Sequence, residues 1–132
     1  MTAREAIDSF RSQYPSSVGE DVLISWISEL EGTIVGEIVM THEGAPDGAS
    51  SFGGITLVDG ADIELSAKEP YSKVYVDYLR MKCDVYHNDT ARYETSSALF
   101  SASYADFADH YNRRHAPLCA ATQLKTKSGD VL

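Results

Sequence analysis

The chain has 132 residues, 43% hydrophobic and 23% charged, with a net charge of −9; that fits one domain with its own core, and no apolar run nears the length of a bilayer-crossing helix. The charge is segregated: residues 1–69 carry three basic against thirteen acidic side chains (net −10), residues 70–112 four against six (−2), and residues 113–132 four against one (+3). An acidic front half argues against a surface that grips phosphates or reads bases, while the basic end suits an acidic protein surface first and a phosphate backbone second.

In chain order, Thr2-Ala3-Arg4-Glu5 reads as a capping box opening a first helix that runs to about Tyr14. Ala6, Ile7, Phe10 and Tyr14 share one face, and Pro15, Ser16 and Ser17 end the pattern. The first residues lack the basic stretch and apolar core of a secretory signal, so an intracellular site is expected. A second helix starts near Gly19 or Glu20, where Glu20 and Asp21 meet the positive end of the helix dipole. Leu23, Ile27, Leu30, Ile34 and Ile38 then recur at spacings of four, three, four and four, carrying it to about Met40 or Thr41. Gly32, Gly36 and the β-branched run Thr33-Ile34-Val35 offer a strand instead. The stripe keeps its phase through Gly32, which favours one long helix.

Residues 43–54 turn to Gly, Ala, Ser, Asp and Pro without a hydrophobic period and read as a long loop, either mobile or ordered by a contact. Ile55-Thr56-Leu57-Val58 and Ile63-Glu64-Leu65 flank Asp59-Gly60-Ala61-Asp62, a spacing that predicts a short β-hairpin. Two strands alone are marginal, so they should lean on the helices or on a neighbouring subunit. A third helix after Pro70 carries Val74, Tyr78, Met81 and Val85 as its stripe, and the polar turn Asn88-Asp89 leads into a fourth, predicting an antiparallel hairpin. On the fourth helix Tyr93, Phe100 and Phe107 fall seven apart with Tyr104 and Tyr111 beside them, an aromatic face that calls for burial. This helix ends on Arg113, Arg114 and His115. Past Pro117 amphipathic order is lost, and the stretch through Lys125 and Lys127 is expected to be extended unless a partner holds it. The architecture expected is mainly α: an antiparallel bundle of about four helices over residues 1–117, a loop and β-hairpin insertion at about 43–69, and an extended C-terminal tail over 118–132.

Signatures of catalysis are missing. There is no Gly-x-Ser-x-Gly elbow and no Gly-x-Gly-x-x-Gly, and Ser51-Phe52-Gly53-Gly54 lacks the lysine of a phosphate loop. His42, His87, His110 and His115 show neither the i,i+4 pairing of a helical metal site nor a Cys-x-x-Cys partner, and no cofactor is implied. Cys83 and Cys119 read as free thiols, Cys83 as a packed small hydrophobe. Glu29 with Glu31, and Asp59 with Asp62, read as solvated surface and not as acid–base pairs or cation ligands. Asn88-Asp89-Thr90 matches the glycosylation triplet, which carries little weight without an export signal. Trp26 reads as core or as a binding anchor. Arg113 and Arg114 read as cations favoured at a helix C-terminus or as an interface.

The succession Trp26-Ile27-Ser28-Glu29-Leu30-Glu31-Gly32 with Ile38, then Pro70-Tyr71, Val74-Tyr75, Tyr78-Leu79, Asp84 and Tyr86, then Ala91-Arg92-Tyr93, Leu99-Phe100, Tyr104, Phe107 and Tyr111 with Arg113-Arg114 and Pro117, resembles small head-completion proteins of tailed bacteriophages, the head–tail connectors or adaptors. The resemblance covers roughly residues 1–117 and is best over 22–38 and 70–117, with Gly36 a departure. It implies a largely helical, non-enzymatic virion protein of the neck that assembles as a ring, commonly of twelve copies, between portal and tail. Double-stranded DNA would pass non-specifically through the central channel, sliding along an acidic wall. The partners implied are the portal protein, a tail completion or tail terminator protein and further copies of the chain, with no membrane. Arg113, Arg114, His115, Pro117, Lys125 and Lys127 are the partner-binding residues expected, docking the tail onto the portal while the loop and hairpin meet a neighbour. The alternatives are a small helical regulatory or protein-binding module acting through Trp26 and the tyrosines, or a non-catalytic enzyme subunit.

Overall fold

The computed structural model of the chain describes residues 1–46 and 48–118. The first helix, α1 (Ala3–Gln13), begins with the predicted reciprocal cap: the Thr2 hydroxyl accepts the Glu5 amide and the Glu5 carboxylate accepts the Thr2 amide. Its buried face is Ala3, Ala6, Ile7 and Phe10. The second, α2 (Glu20–Ile34), starts at Gly19 and passes directly into a π-helical turn, Val35–Val39. Leu23, Ile27, Leu30, Ile34 and Ile38 are all buried, so the continuous rod and its stripe are as expected. Gly36 is tolerated because it faces outward, with nothing within 4 Å of where a Cβ would stand.

The antiparallel hairpin is formed by α3 (Lys73–Tyr86) and α4 (Thr90–Arg114). Asn88 makes the turn at φ 58°, and Asp89 caps α4 by accepting the Arg92 amide. α3 is the central helix, packed against α1, α2 and α4, and α4 packs mainly on α3.

That arrangement corrects two packing expectations. α3 buries Val74, Tyr75, Val76, Leu79 and Cys83, whereas Tyr78 and Met81 are half-buried and Val85 is exposed. A helix with three neighbours buries more than one stripe, and its core face lies one position beyond the predicted one. On α4 the buried residues are Ser96, Ser103 and Phe107, while Phe100, Tyr104 and Tyr111 are half-buried and Tyr93 is exposed. The α3–α4 seam is polar: the Ser96 hydroxyl donates to Asp84 at 2.6 Å and the Ser103 hydroxyl to Asp77. Each pair lies seven residues from the other on both helices, so small hydroxyl side chains occupy the line of closest approach and the aromatic rings are displaced to its flank. There Tyr78 meets Phe100 with ring centres 5.0 Å apart, and Phe100 meets Tyr104 at 5.8 Å.

The predicted β-hairpin is not formed; among the described residues there is no strand, only isolated bridges. Residues 56–59 close into a tight turn, with the Thr56 and Asp59 amides each donating to the other's carbonyl at 2.8 and 3.3 Å. The segment's backbone groups instead meet the N-terminus, α2 and the local turn, with the Ile55 amide donating to Ser28 at 2.9 Å. The Leu65 amide donates to the Met1 carbonyl and the Arg4 amide to the Ala61 carbonyl, both at 3.0 Å. The Arg4 side chain also donates to Asp62 at 2.8 Å. The expected extended tail over 118–132 lies, beyond Leu118, outside the described residues.

Residues 52–72 are fixed to the helices by Glu31, which is buried on α2 and not solvated as its sequence context suggested. One carboxylate oxygen accepts the Tyr75 hydroxyl at 2.7 Å, and the other accepts the Ser66 amide at 2.9 Å and the Ser66 hydroxyl at 2.7 Å. The Tyr75 oxygen in turn accepts the Ala67 amide at 2.9 Å. Burial, and then the Glu31 charge, push the Tyr75 phenol far above its ordinary range, so it stays a donor. Tyr75→Phe keeps the ring but strips one donor from a buried carboxylate and the acceptor from a buried amide. Urea denaturation is expected to show a loss of about 2–3 kcal/mol with an unchanged m-value, and a loss below about 0.5 kcal/mol would deny the network its anchoring role.

Candidate protein–protein interface

The C-terminal end of α4 brings together four of the six residues singled out from the sequence. Arg113 and Arg114 are exposed in its last turn, His115 caps the helix through its amide, and Pro117 follows. Neither arginine makes an ion pair among the described residues. Lys125 and Lys127, like Cys119, lie outside the described residues.

The chain leaving α4 is clipped to the end of the α2 rod. The Glu43 amide donates to the Ala116 carbonyl and the Leu118 amide to the Thr41 carbonyl, both at 2.9 Å, and His42 bridges Pro117 in antiparallel register. His42 itself is buried, its Nδ1 2.6 Å from the Ile38 carbonyl and its Nε2 against the Asn112 amide group. Its ring stands edge-on to Tyr111 at 5.3 Å. His115 stacks on the other side of Tyr111 at 4.0 Å, where a Cβ on Gly44 (φ 81°) would come within 3.3 Å of the imidazole. Sequence reasoning missed His42 and Asn112, because a lone histidine after an amphipathic helix carries no pattern.

Beside this end lies a cleft of about 630 Å³, walled by Val35 and Val39 of the π turn, Phe52, Ile55, and Phe107 and Tyr111 of α4. Its rim includes His110, which stacks on Tyr71 at 4.3 Å. The 56–64 segment beside it carries Val58, 97% exposed, and Ile63, 66% exposed. Both are apolar groups at positions the sequence assigned to strands, and neither is covered by the described residues.

The remaining aromatic flank is a separate surface. Trp26 is half-buried, edge-on to the exposed Tyr86 at 6.1 Å with the Lys82 ammonium 5.8 Å from its ring centre. The Tyr78 phenol donates to Glu29 and the Tyr104 phenol to Glu37, and each is pushed up to about 12, by burial first and then by its carboxylate partner. Among the described residues no cluster of three or more His, Cys, Asp or Glu could hold a metal ion, and no helix is long and apolar enough to cross a membrane.

Comparison with protein families, with curated proteins and with solved structures finds no match.

Partial burial against Tyr71, followed by the charges of Arg114, Arg113 and His115, holds the His110 imidazole below its ordinary range. The lowered value means the neutral ring is favoured in the folded state, so the stability it contributes is present above the unfolded value and is lost as the pH falls through the folded one. An NMR titration of His110 is expected to give a midpoint below about 6.5, and R113E/R114E should move it upward. A midpoint at or above the ordinary value, or one that ignores the charge reversal, would place the arginines away from the ring.

Proposed function

We propose that the protein is a structural component of a virion, a head–tail adaptor that assembles as a ring, of twelve copies, between the portal and the tail and lines the DNA channel. The observation that carries this reading is the end of α4. In a chain with a large acidic excess, Arg113 and Arg114 stand exposed and, among the described residues, without carboxylate partners, beside a segment fastened to the second helix. Such an end presents a rigid cationic contact to an acidic partner surface. In this reading Arg113, Arg114, His115 and Pro117, continued by Lys125 and Lys127, meet the portal protein.

The apolar cleft and the uncovered Val58 and Ile63 then serve contacts with the neighbouring copy or with a tail completion or terminator protein. The acidic residues 1–69 suit a wall along which double-stranded DNA slides without being held. A second reading, a helical module that binds one partner protein, is favoured by the exposed Val85 and Tyr86 beside the half-buried Trp26.

Electron microscopy of the purified chain with and without its portal separates the two. Rings are expected on the portal, and R113E/R114E should weaken portal co-sedimentation by at least about tenfold while leaving the melting transition in place. A chain that stays monomeric on the portal, or a double variant that binds as well as the parent, would overturn the adaptor reading.

A further inference from the structure

At the opposite end of α4 a second concavity, of about 320 Å³, opens between the end of α1, the C-terminal half of α3 and the first turn of α4. We propose that this pocket is a binding site for a phosphate-type oxyanion, with Arg80 and Arg92 as its principal ligands. Nothing in this depends on ring assembly.

Arg80 is half-buried on α3. Its guanidinium lies over the Tyr14 ring, 4.8 Å from the centroid, and donates to the Tyr14 hydroxyl at 3.3 Å. It has no carboxylate within 4 Å among the described residues, although the chain holds 20 acidic against 11 basic side chains. A guanidinium held flat against an aromatic ring, with most of its donors unassigned and a concavity before it, is pre-oriented for bidentate contact with an oxyanion. Arg92 lines the same pocket from α4, tied to Asp89 only at 3.5 Å, and His87 adds a third nitrogen donor.

One carboxylate and one thiol share the pocket with the two guanidinium groups. Asp84 is the one carboxylate lining the pocket, and its Oδ2 accepts the Ser96 hydroxyl across the α3–α4 seam. Cys83 at the floor has its thiol pushed up by burial, so it stays neutral. The Ser16 oxygen accepts the Val18 amide at 3.2 Å and lies 3.7 Å from the Cys83 sulfur. A concavity of about 320 Å³ is of small-ligand size and has room for a phosphate group.

The test is a titration of sodium phosphate into the ¹⁵N-labelled full chain, with ionic strength held constant by chloride. Saturable shifts of the Arg80 and Arg92 Nε–H signals and of the amides near Ser16 and His87 are expected. R80Q should weaken the apparent affinity by about tenfold and R92Q by about threefold. The Arg92 side chain is 76% exposed, so R92Q tests the site even if loss of the Tyr14 stack perturbs folding in R80Q.

A short DNA duplex titrated in parallel identifies the source of the phosphate. Competition with phosphate that is lost in R80Q points to a nucleic-acid backbone, and indifference to duplex points to free phosphate or a phosphomonoester. Shifts that drift without saturating, or that survive both substitutions, would overturn the proposal.

Discussion

Glu31 is a charge removed from water, and a buried carboxylate is tolerated only when its oxygens are fully occupied. Here they accept three donors, from Tyr75 on α3 and from the amide and hydroxyl of Ser66. Because the Tyr75 oxygen also accepts the Ala67 amide, the long stretch between the π turn and α3 is suspended from two helices through one ionised group. Leu65, Ser66 and Lys68 line the apolar cleft, so the shape of that cleft follows from where Glu31 holds them. The 56–59 turn follows as well: the Ile55 amide is tied to Ser28 on α2, and the residues after the turn are tied to Met1 and Arg4.

The parts of this fold that were legible in the sequence are those written in local chemistry. The Thr2–Glu5 box, the acidic start of α2, its five-residue stripe and the Asn88-Asp89 turn each specify an element within a few residues, and each is found. The failures all involve partners distant in sequence. Ile55–Val58 and Ile63–Leu65 have strand-like composition, but the Ile55 amide goes to Ser28 on α2, and the Leu57 carbonyl and Leu65 amide go to Arg4 and Met1, more than fifty residues earlier. Glu31 looked like one of two surface acids because nothing local distinguishes it from Glu29; its partners are 35 and 44 residues away. At the candidate interface the arginines were legible as a basic helix end, while the His42–Asn112 clip, 70 residues apart, was not.

The polar seam between α3 and α4 has consequences beyond packing. Hydrogen bonds from hydroxyls to carboxylates are directional, and the Asp84–Ser96 and Asp77–Ser103 pairs fix the register of the hairpin more strictly than interchangeable apolar contacts would. They also release the aromatic residues from core duty. Phe107 alone among the α4 rings is buried, and Tyr93, Phe100 and Tyr104 are left along a flank where α4 has no second helix against it. Of the aromatic face that the sequence suggests is core, Phe107 is buried, Phe100, Tyr104 and Tyr111 are half-buried against the core and Tyr93 is exposed, because the serines hold the line of closest approach.

Cations are distributed by the same logic. Acids outnumber bases, and Arg4, Arg11 and Arg92 each lie within 4 Å of a carboxylate. Arg80, Arg113 and Arg114 do not, among the described residues, and they stand near opposite ends of the α3–α4 hairpin. From Arg92, which shares the pocket of Arg80, to Arg113 the helix rises about 30 Å, too far for one small ligand to bridge. Two positively charged positions separated by that length, on a chain of strongly negative net charge, are electrostatically separate. The first, with its guanidinium over the Tyr14 ring, lies in a concavity of small-ligand size, and the second lies beside the larger apolar cleft.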